Sequence, residues 1–289
     1  MNEQNFVAAL RSIATHRAAR GLADDAAALE LNGETLVVTH DAMVEGRHWL
    51  PGQDMADVAW KLVAVNLSDL AAKGAEPLGV LIGHTLGDGD ARFIEGLREV
   101  LETYGVPLLG GDTVGGHGAR TLGCTALGRA SRCPVPSRAG AQPGDRVYVT
   151  GTLGLAMLGF EALRDRTGAD STAYRRPAPR LAEGRALAPI VTAMMDISDG
   201  LLLDAWRLAE ASGVTLAIDG NDVPVADAAR RRECLSWGDD YELLFTAPAA
   251  MALPLEPYYI GTVRPWMEAP LVLDGEPFSQ AKGLGYQHG

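Results

Sequence analysis

Apolar residues in the first half of the chain recur at two spacings, one typical of helices and one typical of strands. Helical spacing predicts helices over 3–15, 57–73 and 91–104, with Asp57 as the N-cap of the second. Short β-rich or apolar runs predict strands between these helices, over residues 35–39, 78–85, 106–112 and 120–130. The run at 106–112 is apolar enough to predict a buried strand. This alternation indicates an α/β fold.

The pattern restarts after a change in composition at 134–144, where CPVPSRAGAQPG predicts a linker. Strands are predicted over 146–150, 214–219, 241–246 and 258–263, and helices over 153–164, 180–190 and 201–211. Both halves mix helices and strands. We therefore expect two α/β domains, formed by residues 1–137 and 138–289.

Composition and charge narrow the class of protein. The 289 residues carry a net charge of −12, which argues against a nucleic-acid-binding protein. The three cysteines form no CxxC pair, so neither a disulfide framework nor a zinc site is indicated. No apolar stretch approaches the roughly 18–20 residues of a membrane span, and the N-terminus lacks a signal-peptide core. We expect a cytoplasmic protein that binds neither nucleic acid nor membrane.

Aspartates stand repeatedly where an apolar run ends. They occur in ADDAAAL at 23–29, THD at 39–41, NLSD at 66–69, GGDT at 110–113, MDISDG at 195–200 and GDDYELLF at 238–245. Carboxylates gathered in space need a compensating cation, and Mg²⁺ takes oxygen ligands, usually together with substrate phosphates. Bound metal would also reconcile the acidic chain with an anionic substrate. The pattern predicts an enzyme that uses Mg²⁺ and phosphate substrates.

Several common active-site motifs are absent from the sequence. It contains no GxxxxGK[ST] phosphate loop, GxSxG, HExxH or kinase HRD/DFG set. Nucleotide phosphates would then be held by metal, backbone amides and arginine. The most specific string is MDISDG, in which Asp196 interrupts an apolar run where an unpaired carboxylate is costly. Ser198 and Asp199 follow at a turn that either binds an anion at the next helix or caps that helix.

The other candidate residues leave two interpretations open. Asn66 and Asp69 share one helix face, which suits either a metal site or solvent. The strand end at Thr39, His40 and Asp41 suits either a ligand set or a plain turn. For Tyr104, Arg138 and His48, taken alone, packing or solvation is the ordinary role.

Taken together, these strings resemble the thiamine-monophosphate kinase family, within the aminoimidazole ribonucleotide synthetase superfamily. The resemblance runs from ADDAAAL to GYQH near the C-terminus. Its sharpest elements are THDAMVEGRHWL, WKLVAVNLSDLAAKGAEP, GGDT, GDRVYVTGTLG, RRPAPR, MDISDGLLLD and GDDYELLFT.

The resemblance implies a two-domain α/β (α+β) fold, with the N-terminal sheets paired across a homodimer. It implies ATP-dependent phosphorylation of thiamine monophosphate to thiamine diphosphate, with several Mg²⁺ ions and no catalytic general base. The implied metal-site residues are Asp25, Thr39, His40, Asp41, Asp69, Asp112, Asp196 and Asp199. The implied ATP contacts are Tyr104, Gly111, Asp112, Arg138 and Ser198. The implied contacts to thiamine monophosphate are His48, Asp239 and Tyr286.

Three positions depart from the family pattern. Ala23 replaces the glycine usual before the aspartate pair, His40 replaces a hydroxyl residue, and Asp239 replaces a glutamate. They motivate one alternative to the kinase, a non-catalytic nucleotide- or metal-binding relative. A second alternative, another ATP-dependent enzyme of the superfamily, stays open on the expected fold. A selenophosphate synthetase fits poorly, because it needs a reactive residue near the N-terminus and the first cysteine here is Cys124.

Overall fold

The computed structural model describes residues 3–286, so Gln287 and His288 of the GYQH string lie outside the described part. Two sheets organise these residues. The first has five strands in the order β1-β2-β5-β3-β4, and the second has seven in the order β12-β11-β8-β10-β6-β9-β7.

The first sheet is built from residues in the first half of the chain. Its strands are β1 Ala27–Leu31, β2 Glu34–Val44, β3 Ala75–Thr85, β4 Leu108–Val114 and β5 Thr121–Ala130. The helices of this half are α1 Glu3–Arg11, α2 Met55–Ala72 and α3 Asp90–Tyr104, with a 3-10 helix over Arg17–Leu22. Strands β3 and β4 pair in parallel, and the remaining neighbours are antiparallel.

The second sheet follows in the second half of the chain. Its strands are β6 Asp145–Val149, β7 Ala193–Asp196, β8 Val214–Ile218, β9 Leu243–Pro248, β10 Tyr258–Pro265, β11 Leu271–Leu273 and β12 Glu276–Phe278. Its helices are α4 Leu155–Arg164, α5 Thr172–Arg175, α6 Leu181–Leu187, α7 Leu201–Ser212 and α8 Arg231–Ser236, with a 3-10 helix over Ala228–Arg230. None of the described helices is long and apolar enough to cross a membrane.

Helix α2 lies at the centre of the molecule. Every residue of it except Trp60 is buried, because it packs on β2, β5 and α3 and also on α6 and β7 of the second half. A helix buried on all sides has no solvated face. The polar residues of α2 therefore point into protein, where each needs a partner.

Ion pairs attach the start of α2 to the second half of the chain. The buried carboxylate of Asp57 accepts from Arg175 and Arg176, each at 2.5 Å. Next to them, the indole Nε1 of Trp60 donates to the carbonyl of Pro177 at 3.1 Å. The two halves are thus joined along this helix.

The structure corrects several element predictions. The N-cap of α2 is Asp54, whose Oδ1 accepts from the amide of Ala56 at 3.1 Å, rather than Asp57. Helix α1 ends at Arg11, short of the predicted residue 15. The strand predicted as buried over 106–112 is β4, and all seven of its residues are exposed because it forms a sheet edge. Strands β1, β7, β11 and β12 were not predicted.

Candidate active site

Three carboxylates from distant parts of the chain meet between the two sheets. Asp25 lies in the loop before β1, Asp69 is in the last turns of α2, and Asp196 ends β7. One oxygen from each lies within 4.8 Å of the others. We call this group the three-carboxylate cluster. Its oxygens are donors of the kind that Mg²⁺ prefers.

Burial makes the cluster electrostatically unfavourable in the absence of a cation. Burial, reinforced by the charge of Asp25, raises the pKa of Asp196 to about 8, although Ser68 donates to its Oδ2 at 2.6 Å. Burial also raises the pKa of Asp69 well above its ordinary value, and the charges of Asp41 and Asp196 raise it further. These carboxylates repel one another in a site from which water is largely excluded.

Asp25 differs from the other two members because it has two cationic partners. Burial alone would raise its pKa, but Arg138 and Lys73 lower it to about 2. Lys73 Nζ lies 2.6 Å from Asp25 Oδ2, and Arg138 Nε donates to Oδ1 at 2.7 Å. Lys73 also pairs with Asp24, which gives that neighbouring carboxylate a structural role. The cluster therefore has cations on one side and none among these contacts on the side of Asp69 and Asp196.

Sequence reasoning missed Lys73, Lys61 and Ser68 as site residues. All three are on or directly after α2, and all are buried. Two lysines inside a long apolar helical segment were a usable signal, because lysine is almost never fully buried unless paired.

The next three candidates, Thr39, His40 and Asp41, lie on β2, where successive side chains point to opposite faces of the sheet. The Thr39 hydroxyl donates to Asp69 Oδ2 on α2. Alternation along the strand puts the Asp41 side chain on the same face, where its charge raises the pKa of Asp69. The backbone amide of Asp41 also donates to Asn66 Oδ1 on α2, at 2.9 Å. His40 points to the opposite face, where its Nδ1 lies 2.8 Å from Thr125 Oγ1. The structure thus brings Thr39 and Asp41 to the cluster and places His40 away from it.

The turn that follows β7 is held by a buried aspartate. Asp204 Oδ2 accepts from the amides of Ser198 and Asp199 at 3.1 and 3.0 Å. Burial raises the pKa of Asp204 to about 7, against the lowering effect of Arg207. Arg207 also pairs with Asp199 Oδ2 at 2.5 Å. Ser198 and Asp199 lie next to the cluster in sequence but are not members of it.

The remaining candidates for metal and ATP lie toward the open edge of the first sheet. Asp112 is exposed on β4, and its Oδ1 accepts from the amide of Thr113 at 2.9 Å. A Cβ at Gly111 would lie 1.9 Å from the carbonyl oxygen of Ile82, so only glycine fits there. Tyr104 ends α3 and is half-buried, and burial raises its pKa. The structure does not bring Tyr104, Gly111 or Asp112 into the three-carboxylate cluster.

The three candidates for substrate contact come from both halves. The carbonyl of His48 and the carboxylate of Asp239 share one partner, the Nζ of Lys61, at 3.2 and 2.8 Å. Tyr286 is bound to a different segment: its backbone amide donates to the carbonyl of Asp199 at 2.9 Å. A Cβ at Gly285 would lie 2.2 Å from that same carbonyl, so the C-terminal segment rests directly on the turn after β7.

Two family models match this chain, one in each half. Residues 23–130 match the family model described as AIR synthase related protein, N-terminal domain, and residues 142–281 match the corresponding C-terminal domain. Thiamine-monophosphate kinase from Salmonella typhimurium is 40% identical, over 79% of this chain and 76% of the relative. The chain belongs to the thiamine-monophosphate kinase family.

Solved structures of related proteins support membership of this family. A structure of AaThiL complexed with AMPPCP and TMP superposes with a TM-score of 0.90 at 28% identity, over 99% of this chain and 97% of the other. Thiamine-monophosphate kinase from Stenotrophomonas maltophilia gives a TM-score of 0.76 at 33% identity, over 95% and 96%. The resemblance and the fold class predicted from the sequence are confirmed.

The raised pKa values of the cluster predict how stability depends on pH in metal-free protein. Between 3.8, the ordinary value, and about 8, folded Asp196 holds a proton that the unfolded chain releases. Unfolding therefore becomes easier as pH rises through this range, by at most about 1.4 kcal/mol per pH unit for each such group. We expect urea denaturation in EDTA to give a lower free energy of unfolding at pH 8 than at pH 5. Asp196→Asn should flatten this slope, and an unchanged slope would contradict the assignment.

Proposed function

We propose that this protein phosphorylates thiamine monophosphate to thiamine diphosphate, with ATP as the phosphate donor. Membership of the thiamine-monophosphate kinase family gives the reaction. The observation that carries the proposal is the three-carboxylate cluster between the two halves, with Thr39 and Asp41 beside it. Such a site is suited to holding metal-bound phosphates.

The residues present fit Mg²⁺ as the metal. Asp25, Asp69 and Asp196 offer hard oxygen donors, and the raised pKa of the last two reflects buried negative charge that a divalent cation would balance. Asp41 and Thr39 flank these donors. Asp112 and Asp199 are included in the proposed metal set on the family resemblance alone. Bound Mg²⁺ would neutralise and align the phosphates of the two substrates.

The protein's own part in the reaction is positioning. The acceptor is a phosphate monoester, whose second pKa near ~6 leaves it mostly dianionic at neutral pH, so no general base has to activate it. Arg138 and Lys73 fix Asp25, and Asp204 fixes the turn that carries Ser198 and Asp199. Transfer is therefore direct, without a phosphorylated enzyme.

We also propose that the protein forms a homodimer. Strand β4 is an open sheet edge with exposed Leu108, Leu109 and Val114, and Leu81 is exposed on the neighbouring strand β3. An unprotected apolar edge strand is a template for pairing with another chain. A second copy of this chain is the partner that the family resemblance implies.

The cytoplasm is the compartment that we assign to the protein. Cys124, Cys133 and Cys234 are all free, in keeping with a reducing environment.

The decisive test of the function is an assay with purified protein, Mg²⁺-ATP and thiamine monophosphate. We expect thiamine diphosphate and ADP in equal amounts, and no covalently labelled protein after exposure to γ-labelled ATP. Binding of both substrates without turnover would instead indicate a non-catalytic relative. Failure to bind thiamine monophosphate would overturn the assignment.

Asp69→Asn tests the metal cluster. We expect a loss of turnover of about 10²-fold or more, because one of the carboxylates that would hold Mg²⁺ is removed. The fold should persist, since an amide oxygen can still accept the bond from Thr39. In EDTA the variant should melt at a higher temperature than the wild type, and Mg²⁺ should stabilise it less. The exposed Asp165→Asn serves as the control. Full activity in Asp69→Asn would remove Asp69 from the metal set.

Leu108→Glu tests the homodimer. A charge on the β4 edge should disfavour pairing of two copies, so we expect light scattering to show a dimer for the wild type and a monomer for this variant. Ile94→Glu, at an exposed position of α3, is the matched control and should stay dimeric. A monomeric wild-type protein would refute the proposed assembly.

A further inference from the structure

A buried lysine connects the two halves of the candidate substrate site. The side chain of Lys61, on α2, is 1% exposed. Its Nζ donates to Asp239 Oδ2 at 2.8 Å and to the carbonyl of His48 at 3.2 Å. Asp239 belongs to the second half of the chain and His48 to the first. One ammonium group thus bonds to both of these segments.

Lys61 is held on its remaining side by an aromatic ring. Its Nζ lies 4.0 Å from the ring centroid of Tyr174, whose hydroxyl also donates to the carbonyl of His48 at 3.2 Å. An ammonium has three donors, and here they meet a carboxylate, a carbonyl and a ring face. The side chain is therefore fixed in one position and is too deeply buried to reach a ligand itself.

Asp239 is also held by several contacts, but its side chain remains partly exposed to solvent. Its Oδ1 accepts from the hydroxyl of Tyr241 at 2.9 Å, and its amide donates to the carbonyl of Ser198 at 2.8 Å. Its backbone has a φ of 57°, in the left-handed region, which aspartate adopts more readily than most non-glycine residues. The carboxyl remains 29% exposed. Lys61 therefore orients and charge-compensates a carboxylate that still has an accessible edge.

The segment that carries Asp239 also contacts the turn after β7. Ser198, which accepts from the Asp239 amide, precedes Asp199, and a Cβ at Gly238 would lie 2.4 Å from the Ser198 carbonyl. The Asp239 segment thus packs directly on the turn beside the three-carboxylate cluster. An acceptor bound at Asp239 would therefore lie beside that cluster.

We propose that Lys61 is a positioning residue for the acceptor substrate, acting through Asp239 and the His48 carbonyl. The inference rests on the proposed function, since thiamine monophosphate is the acceptor. Lys61 does not touch the substrate, and it plays no part in binding ATP. Its loss should weaken the acceptor site selectively, because Asp239 would lose both its orientation and its compensating charge.

Lys61→Met keeps the length and apolar stem of the side chain and removes the ammonium. We expect the KM for thiamine monophosphate to rise about tenfold or more, equivalent to about 1.4 kcal/mol, with the KM for ATP and kcat changed less than about twofold. Calorimetric titration of thiamine monophosphate without ATP should show the same weakening. The exposed Lys282→Met is the matched control and should behave as wild type.

A double-mutant cycle separates positioning from a general structural role. If Lys61 acts through Asp239, the KM of Lys61→Met/Asp239→Asn should be close to that of the worse single variant. Additive effects, or equal changes in the two KM values, would overturn the proposal. If Lys61→Met does not fold, Lys61→Gln, which keeps a donor without the charge, should give the same selective rise, and an unchanged KM would overturn the proposal.

The wild-type assay distinguishes this inference from the proposed function. Wild-type protein that neither binds nor phosphorylates thiamine monophosphate overturns both. Wild-type turnover together with an unaltered KM in Lys61→Met overturns the role of Lys61 alone.

Discussion

The structure depends on charge balance around a helix that has no face in water. Helix α2 and the residue that caps its C-terminus carry Lys61, Asp69 and Lys73 into the interior, and an isolated buried charge is strongly unfavourable. The two lysines are balanced by carboxylates from other segments, Asp239 for Lys61 and the pair Asp24 and Asp25 for Lys73. Among the described contacts, Asp69 has the hydroxyl of Thr39 but no cation, so the excess of negative charge lies at the three-carboxylate cluster.

This balance also holds the two halves of the chain together. Asp57, Lys61 and Ser68 each bond to a residue of the second half, and Lys73 donates to the carbonyl of Met194 at 3.3 Å. These contacts recur along one helix, from its first turn to its end. The helix that gathers the site is thus also the helix that sets the geometry between the sheets.

Much of the fold could be read from the sequence, because apolar periodicity reports which side of an element is buried. Helices α2 and α3 and strands β3 and β5 agree with their predicted positions to within a few residues. Strand β4 was predicted as buried, since an apolar run has the same composition in a core as at an exposed edge. The short strands β11 and β12 have three residues each, too few for a period to be visible.

The acidic residues of the candidate site could be predicted from the sequence, whereas the ion-pair partners of its lysines could not. An aspartate inside an apolar run, such as Asp196, signals a site because its burial needs a reason. Whether Lys73 pairs with Asp25 or with another acid depends on contacts between residues far apart in sequence, which spacing does not contain. His40 was not separated from Thr39 and Asp41 for a different reason: the strand was predicted to end at residue 39, whereas β2 continues to Val44 and its side chains alternate.

The placement of Gly111 and Asp112 on the edge strand β4 has a thermodynamic consequence. If nucleotide contacts these residues while a second copy pairs along the same strand, the two events share one element and become linked equilibria. Linkage is reciprocal, so the free energy by which pairing changes nucleotide affinity equals that by which nucleotide changes pairing. The apparent affinity for ATP would then depend on the concentration of the protein itself.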